Sequence, residues 1–318
     1  MVDRMEWGWP TKRNENWLVV APFTHIYGFL TGVTNPLLKS GTVFIPEAFD
    51  PKFIVEKLSS EEITVYGGGP LAIYQALLSV EEFENSHMPY LRVCPGGGAP
   101  FPLAVHKMWQ EKTGIPIYEG YGMTEIAPIS VNTVQSGTKM GSAGKAVPDT
   151  VIEIVDIETG RKVLKPGETG EIRVKGPHMM FEYESNIEET RATIRDGFIY
   201  TGDIGVLDDE GFLFITDRKK DVILVKGFTV FPPEIEEQLM SQENVSSVCV
   251  VSKQDNRSGE TPVAFITLNS QIDVSIFKKY CEDTLLPYKV PSDFIILESL
   301  PLTPAKKVDR AALKKMLN

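Results

Sequence analysis

Tyr121-Gly122-Met123-Thr124-Glu125 is the stretch from which the fold of this chain can be worked out. It combines an aromatic ring, a glycine, a hydroxyl and a carboxylate within five residues. Two further stretches follow it in order, Tyr200-Thr201-Gly202-Asp203 and Asp217-Arg218-Lys219-Lys220-Asp221. A short motif of this kind often arises by chance, but an ordered set of three is much harder to obtain by accident.

The composition is that of a globular protein large enough to bury a core. The chain has 318 residues, of which 42% are hydrophobic and 24% are charged, and this length predicts one to three domains. The formal net charge of -11 argues against nucleic acid as the main partner, because binding a strand of phosphates requires clustered Lys and Arg. A single nucleotide remains possible, since a few amides and one cation can hold a phosphate.

The cysteines and the hydropathy pattern point to a reducing compartment. Cys94, Cys249 and Cys281 are far apart in the sequence, which favours buried thiols over disulfides or metal ligands. The first residues lack the apolar core of a signal peptide, and no run of about 18 apolar residues occurs. We therefore expect a cytoplasmic protein without a transmembrane segment.

The first part of the chain, residues 1–139, alternates strand patterns with helix patterns. The strand patterns lie at 18–22, 41–46, 63–66 and 91–94. The helix patterns lie at 53–60, 71–80 and 103–113. The last two strand patterns run into glycine turns at 67–70 and 96–100. This order predicts an α/β fold with a parallel layer, in which ligands bind at the carboxyl ends of the strands.

The pattern changes twice after this α/β part. Residues 140–216 contain short strands separated by glycines, which predicts an antiparallel sheet or a small β-barrel. Residues 222–318 again mix strands and helices, and Pro232-Pro233-Glu234 is typical of a helix start. We therefore expect a large domain, 1–216, joined through the charged segment 217–221 to a small α+β C-terminal domain, 222–318.

The segment Ile215-Thr216-Asp217-Arg218-Lys219-Lys220-Asp221-Val222-Ile223-Leu224 resembles the adenylate-forming superfamily. This superfamily contains acyl-CoA synthetases, peptide-synthetase adenylation domains and luciferases. The likeness is strongest to long-chain fatty acid–CoA ligases and runs from near Leu18 to the C-terminus. It implies ATP or AMP, Mg²⁺ and coenzyme A as cofactors or substrates. A carboxylic acid, expected to be a fatty acid, would attack the α-phosphate of ATP to give acyl-AMP, and the CoA thiol would then displace AMP.

The resemblance implies a nucleotide site around Tyr121. The Tyr121 ring would stack on adenine, and Glu119, with neighbouring carbonyls, would accept a hydrogen bond from the adenine amino group. Thr124 would offer its hydroxyl to a phosphate, and Glu125 a hard oxygen ligand to Mg²⁺. The other nucleotide contacts implied in this region are Gly97, Gly98, Ala99, Pro100, Gly120 and Gly122.

The resemblance also assigns residues near the domain boundary. Asp203 would accept hydrogen bonds from both ribose hydroxyls, because a carboxylate offers acceptors and no donor. Arg218 would donate to the same sugar, and Ile215 belongs to the same nucleotide contacts. Lys220 would be the hinge about which the mobile small domain turns between the two half-reactions, and Gly227 would then face CoA.

Two residues are implied in the chemistry at the substrate carboxylate. Lys307 matches a lysine that bridges this carboxylate and the α-phosphate, where a cation stabilises developing charge. The family has Gly before this lysine, whereas this chain has Lys306. His25 resembles an aromatic or His residue on the carboxylate side. A basic tail for Lys307 and a satisfied core histidine for His25 are the alternatives.

Ordinary structural explanations also exist for the nucleotide motifs. The Tyr121 motif alone is compatible with a turn that has an N-capping Thr124 and a solvated Glu125. The glycines at 96–100 are compatible with a plain strand-to-helix turn, and residues 201–203 with an Asx turn. Arg218 is compatible with a solvated run of charges. A purely structural protein would bind no nucleotide.

Two features depart from the family pattern. The Ser/Thr/Gly-rich loop that ends in Pro-Lys-Gly and wraps the β- and γ-phosphates does not occur, and the Gly-Tyr-Trp-like stretch reads Glu182-Tyr183-Glu184. We therefore expect either an N-terminally truncated enzyme or an impaired homologue that binds AMP or an acyl group. Exposed apolar surface around 18–46 would require a missing N-terminal fragment or a second copy of the chain. An amino-acid or aryl-acid adenylating module is the alternative among enzymes.

Overall fold

The computed structural model describes residues 9–255, 257–270, 273–303 and 308–317. The chain divides into two compact units. The first comprises the residues up to Thr201 together with Gly205–Ile215, and the second comprises Gly202–Ile204 together with the residues from Thr216 onward. The division of the large domain at 139 and 140, and the hinge at 217–221, remain predictions.

The first unit begins with a three-stranded parallel sheet. Its order is β2-β1-β3, and Trp17 in β1 is aligned with Val43 in β2 and Val65 in β3. A π-helical turn at Leu30–Thr34 separates the first two helices. The elements are β1 Asn16–Val19, α1 Ile26–Phe29, α2 Asn35–Leu38, β2 Thr42–Phe44, α3 Pro51–Ser60 and β3 Val65–Gly67.

A four-stranded sheet follows, in the order β4-β5-β6-β7. The β4–β5 pair is parallel and the other two pairs are antiparallel. The elements are α4 Leu71–Leu78, α5 Glu81–Glu84, β4 Cys94–Gly97, α6 Leu103–Thr113, β5 Ile117–Met123, β6 Ile126–Val131 and β7 Lys145–Ala146. The strand predicted at 91–94 and the turn predicted at 96–100 need correction. Gly96 and Gly97 belong to the strand, because they pair with Glu119 and Gly120 of β5.

An aromatic cluster forms the core beside these sheets. The Trp109 ring, which is fully buried, lies 4.8 Å from the Tyr74 ring and 6.1 Å from the Tyr66 ring, measured between centroids. Aromatic side chains bury large apolar areas and favour such edge-to-face and stacked contacts. This core fixes helix α6 against the strands that carry the candidate site.

The β-rich part of the chain forms a five-stranded sheet, and the antiparallel alternative of the prediction is confirmed. Its order is β10-β11-β9-β8, with β12 pairing with β11, and β8–β9 and β10–β11 are antiparallel pairs. The elements are β8 Val151–Val155, β9 Gly170–Lys175, α7 Ile187–Thr193, β10 Ile194–Arg195, β11 Phe198–Leu207 and β12 Leu213–Arg218.

The second unit is an α+β domain, as its pattern predicts. Its sheet has the order β14-β13-β16-β15, and β17 pairs in parallel with β16. Phe277 and Cys281 of α9 are fully buried in its core. The elements are β13 Ile223–Val225, β14 Phe228–Val230, α8 Pro232–Met240, β15 Val245–Asp255, β16 Gly259–Leu268, α9 Ser275–Thr284, β17 Asp293–Ile296 and α10 Arg310–Lys315.

The fold bears on the cysteines and on the length of the helices. Cys94, Cys249 and Cys281 are all free and buried, so the prediction of buried thiols is confirmed. Across the described ranges, none of the helices combines the length and the apolar character needed to cross a bilayer.

Candidate functional site

The central strand β5 carries the Tyr121 motif to the tip of a hairpin. Met123 at the end of β5 is paired with Ile126 at the start of β6, so that Thr124 and Glu125 form a two-residue connection. Thr124 is exposed and Glu125 is half-buried. Since a strand and not a helix follows Thr124, the alternative of an N-capping Thr124 is wrong.

A cleft with a volume of about 70 Å³ lies beside the second half of β5. Segments distant in the sequence line it. His25 comes from the start of α1, Gly98 from the end of β4, and Tyr121 from β5. The cleft therefore brings together five residues of the predicted site, namely His25, Gly98, Gly120, Tyr121 and Gly122. The sequence did not indicate Trp9, Tyr27 or Leu30, which also line the cleft.

Two consecutive glycines, Gly97 at the end of β4 and Gly98 just beyond it, lie at the cleft, and Gly98 lines it. A Cβ atom added at Gly97 would lie 2.9 Å from the backbone oxygen of Gly120, which is closer than side chains approach a carbonyl. Gly98 has a φ of 82°, a left-handed conformation that glycine adopts without strain. Glycine at 97 therefore lets β4 lie close to β5, and glycine at 98 lets the chain take the left-handed conformation that follows. The next predicted contacts, Ala99 and Pro100, lie just beyond β4 and before α6.

His25 is exposed and caps helix α1. Its Nδ1 atom accepts a hydrogen bond from the backbone N–H of Tyr27 at 3.1 Å. The alternative of a satisfied core histidine is therefore wrong, and a role at the substrate carboxylate stays a prediction. The neighbouring Tyr27 hydroxyl donates to the carbonyl of Pro95 at 3.0 Å, and burial holds the pKa of Tyr27 well above its usual value. This bond attaches the start of α1 to β4.

The Glu119 carboxylate is turned toward helix α6. Its Oε2 lies 3.0 Å from Nε2 of His106, and both residues are buried. Burial raises the pKa of Glu119, and the His106 partner opposes that rise. The Glu119 carbonyl accepts from the backbone N–H of Asn132 at 2.9 Å, and Glu119 does not line the cleft. The Glu119 carboxylate is therefore taken up by its pair with His106, and a contact of Glu119 or its neighbouring carbonyls with adenine stays a prediction.

Glu125 is held by a residue 58 positions away. The Tyr183 hydroxyl donates to Oε1 of Glu125 at 2.6 Å, and the backbone N–H of Met180 donates to the Glu125 carbonyl at 2.7 Å. The described residues contain no group of three His, Cys, Asp or Glu side chains that would hold a metal by themselves. Mg²⁺ commonly uses one or two carboxylates and completes its shell with water and substrate phosphates. The carboxylate of Glu125 fits such an ion.

The predicted ribose ligands lie next to each other in the second unit. Nε of Arg218 lies 3.0 Å from Oδ1 of Asp203, and the Asp203 side chain is buried while that of Arg218 is exposed. Gly202 has a φ of 69° inside strand β11. Residues 201–203 are thus part of a strand with a local left-handed residue, and the alternative of an Asx turn is wrong. Ile215 on the neighbouring strand β12 packs against the hydrophobic cluster of the β-rich sheet.

The remaining predicted residues of the second unit lie at turns. Lys220 is exposed in a 3₁₀ turn at Lys219–Asp221. Gly227 is exposed in the turn of the β13–β14 hairpin, where it has a φ of 82° and Lys226 a φ of 51°. Lys307 lies outside the described residues.

Asp217, the first of five consecutive charged residues, has a side chain with one oxygen unpaired among the described residues. Its Oδ1 accepts from the backbone N–H of Arg218 at 2.7 Å, whereas its buried Oδ2 has no partner within the described ranges. Burial raises the pKa of Asp217 to about 6, and the charges of Asp221 and Glu236 add to the rise while Arg310 opposes it.

Family models match both parts of the chain. A model described as AMP-binding enzyme matches residues 1–184, and one described as AMP-binding enzyme C-terminal domain matches residues 234–307. The long-chain-fatty-acid–CoA ligase of Bacillus subtilis is 36% identical over 304 residues, which are 94% of this chain and 54% of the relative. The 2-succinylbenzoate–CoA ligase of the same organism is 32% identical over 94% of this chain and 60% of the relative.

Two solved structures share the fold of this chain. ATP-bound MatB from Rhodopseudomonas palustris is 28% identical with a TM-score of 0.91, covering 99% of this chain and 62% of that one. The O-succinylbenzoate CoA synthetase MenE from Bacillus subtilis, in complex with ATP and magnesium, is 29% identical with a TM-score of 0.83, covering 99% of this chain and 63% of that one. The chain therefore spans a little over half the length of the relatives it matches.

Proposed function

The chain belongs to the AMP-binding enzyme family, and on that premise we propose that it takes part in joining a carboxylic acid to coenzyme A. In the first half-reaction, a carboxylate oxygen attacks the α-phosphorus of ATP, so that acyl-AMP forms and pyrophosphate leaves. In the second, the CoA sulfur attacks the acyl carbon, a thioester forms and AMP leaves. The observation that carries this proposal is the convergence of His25, Gly98 and Tyr121 on one cleft.

The adenine and sugar contacts are assigned to residues of matching chemistry. The Tyr121 ring offers a stacking surface, and Gly97 and Gly98 allow a flat ligand to approach the backbone. Asp203 provides two acceptor oxygens for a ribose diol, and Arg218 provides donors. The Asp203–Arg218 pair supports this assignment, because the exposed guanidinium holds the buried carboxylate in a fixed position.

The phosphate and carboxylate chemistry is assigned to four residues. Thr124 offers a hydroxyl to a phosphate, and Glu125 is the ligand for Mg²⁺, which supplies charge neutralisation when bound. His25 lies at the carboxylate side, and Lys307 stabilises the charge that develops as the carboxylate attacks. Lys307→Ala should abolish acyl-AMP formation while AMP still binds, and unchanged acyl-AMP synthesis would remove Lys307 from the mechanism.

A long-chain fatty acid is our first candidate for the acid. The 36% identity to a long-chain-fatty-acid–CoA ligase supports it, together with the likeness of the segment around Asp217 to that branch. The second candidate is an aryl acid, because 2-succinylbenzoate–CoA ligases are 32–34% identical to this chain. Acyl-CoA formation with palmitate and with 2-succinylbenzoate, measured side by side, separates the two candidates.

Calorimetric titration with AMP and with ATP–Mg²⁺, followed by an acyl-CoA assay, tests the proposal. Binding of both nucleotides with CoA thioester formation is the expected result for an enzyme. AMP binding without thioester formation would favour a different function, namely a homologue that binds the nucleotide but does not catalyse the reaction. Failure of both nucleotides to bind would overturn the proposed function.

A further inference from the structure

The Tyr183–Glu125 contact joins two segments that lie far apart in the sequence. The hydroxyl-to-carboxylate distance is 2.6 Å, which is in the range of the strong O–H···O⁻ bonds that ionised acceptors form. A phenol carries a proton that it can donate, whereas an ionised carboxylate can only accept, so Tyr183 is the donor and Glu125 the acceptor of this bond.

The segment that leads to Tyr183 is fixed along strand β6. Nε2 of His178 donates to the carbonyl of Pro128 at 2.7 Å, and the N–H of Met180 donates to the carbonyl of Glu125 at 2.7 Å. Met179 and Met180 also pack against the hydrophobic cluster of the β-rich sheet. The backbone before Tyr183 therefore follows the turn that carries Glu125.

Tyr183 is also fixed from the side of helix α7. Its backbone N–H donates to the hydroxyl oxygen of Thr190 at 2.9 Å, and that hydroxyl donates to the carbonyl of Asn186 at 2.9 Å. Thr190 is buried, and Asn186 caps the helix by accepting from the N–H of Glu189. The phenol thus reaches Glu125 from a rigid base.

We propose that Tyr183 is a positioning residue for Glu125, so that the phenol holds Oε1 and orients Oε2 toward the Mg²⁺ ion that accompanies ATP. A glutamate has three rotatable bonds, and at a hairpin tip its carboxylate would otherwise sample several orientations. Hydrogen-bond partners behind a metal ligand commonly change metal affinity about 10–100-fold when they are removed. This inference rests on the proposed function.

The test is Tyr183→Phe, which removes one oxygen atom and keeps the ring. Tyr90→Phe is the matched control, because Tyr90 is exposed and lies outside the candidate site. Calorimetry would measure AMP binding without Mg²⁺, ATP binding with Mg²⁺, and the Mg²⁺ concentration that gives half of the ATP response. For Tyr183→Phe we expect unchanged AMP affinity and a Mg²⁺ requirement about tenfold higher, with no change in the control.

A merely structural role for Tyr183 predicts a different result. AMP and ATP affinities would then fall by the same factor together with the melting temperature, and this result would overturn the proposal. If both nucleotides bind the wild-type protein and the Mg²⁺ requirement of Tyr183→Phe is unchanged, the role of Tyr183 is overturned while the proposed function stands. Wild-type protein that binds neither nucleotide would overturn both this inference and the proposed function.

A double-variant cycle adds a second, independent measurement. In Glu125→Gln the ligand is already neutral, so adding Tyr183→Phe should change the Mg²⁺ requirement by less than twofold. Equal effects of Tyr183→Phe in the wild-type and Glu125→Gln backgrounds would show that the phenol acts without Glu125. If Tyr183→Phe fails to fold, Thr190→Val tests the same support, because it removes the acceptor for the Tyr183 N–H, and the same rise in Mg²⁺ requirement is expected.

Discussion

His106 and Glu119 form a buried pair that joins helix α6 to the strand of the candidate site. Nε2 of His106 lies 3.0 Å from Oε2 of Glu119, and their side chains are only 4% and 5% exposed. Residue 119 is followed within two positions by Tyr121, which lines the cleft. The pair therefore holds the start of the Tyr121 motif in place from inside the protein.

Removing His106 should destabilise the first unit strongly. In His106→Ala the buried Glu119 carboxylate would lose its hydrogen-bond partner, and leaving a buried charged group unsatisfied costs about 3 kcal/mol. Urea unfolding measures this, with His87→Ala, an exposed histidine, as control. Equal losses in both variants would contradict the prediction.

Replacing Asp203 should weaken AMP binding. Asp203→Ala removes both acceptors assigned to the ribose, and a hydrogen bond to a charged group is worth about 1.5–3 kcal/mol, which corresponds to a loss of about tenfold or more in affinity. Calorimetric titration with AMP measures the effect. Asp209→Ala, at an exposed position six residues along the chain, should bind AMP as the wild type does. An Asp203→Ala affinity within twofold of the wild type would remove Asp203 from the site.

A methyl group at position 97 should disturb the pairing of β4 with β5 beside the cleft, because Gly120 of β5 lines the cleft. The Cβ atom of Gly97→Ala would lie 2.9 Å from the Gly120 oxygen, so that β4 and β5 must move apart. Overpacking of this kind costs about 1–3 kcal/mol, and AMP affinity should fall together with stability. Thermal unfolding and AMP titration of the same sample check both effects. Unchanged values for both would mean that the two strands adjust without loss.

Neutralising Asp217 should stabilise the second unit at neutral pH. The folded pKa of Asp217 is about 6, above its ordinary value of 3.8, so the folded protein binds this proton more tightly than the unfolded chain does. The stability from this group is present below about pH 4 and is lost as the pH rises through 6. Asp217→Asn avoids that loss, and after allowing for partial solvent screening we expect a gain of about 1–2 kcal/mol at pH 7.5.

Denaturant unfolding between pH 4 and pH 8 tests the Asp217 prediction. The difference between Asp217→Asn and the wild type should grow with pH and become small near pH 4. Asp209→Asn is the control, because Asp209 is exposed and should show no such trend. A gain that is the same at every pH would contradict the assignment, since it would not arise from ionisation of Asp217.

The exposed apolar side chains near the N-terminal sheet agree with one expectation of the sequence. Large hydrophobic residues between 23 and 53 remain exposed, including Leu37 at 75% and Ile45 at 58%. Exposed apolar surface of this kind commonly marks an interaction site. A missing fragment or a second copy of the chain as its partner stays a prediction.

The sequence by itself determined the local elements and the family. Helix patterns such as 103–113 and 71–80 correspond closely to α6 and α4, because the spacing of apolar residues follows the period of the helix. The motif around Tyr121 and the segment around Asp217 were sufficient to identify the family, because they resemble the family's own motifs, and the family models match the chain.

Only the tertiary structure decided which side chains meet. Gly96 and Gly97 read as a turn because glycine is typical of turns, but pairing with β5 extends the strand through them. The sequence does not predict that the Glu119 carboxylate pairs with His106, and nothing in the stretch Glu182-Tyr183-Glu184 predicts the contact of Tyr183 with Glu125. Each of these contacts depends on how distant segments pack, and periodicity along the chain reports only on a residue's near neighbours.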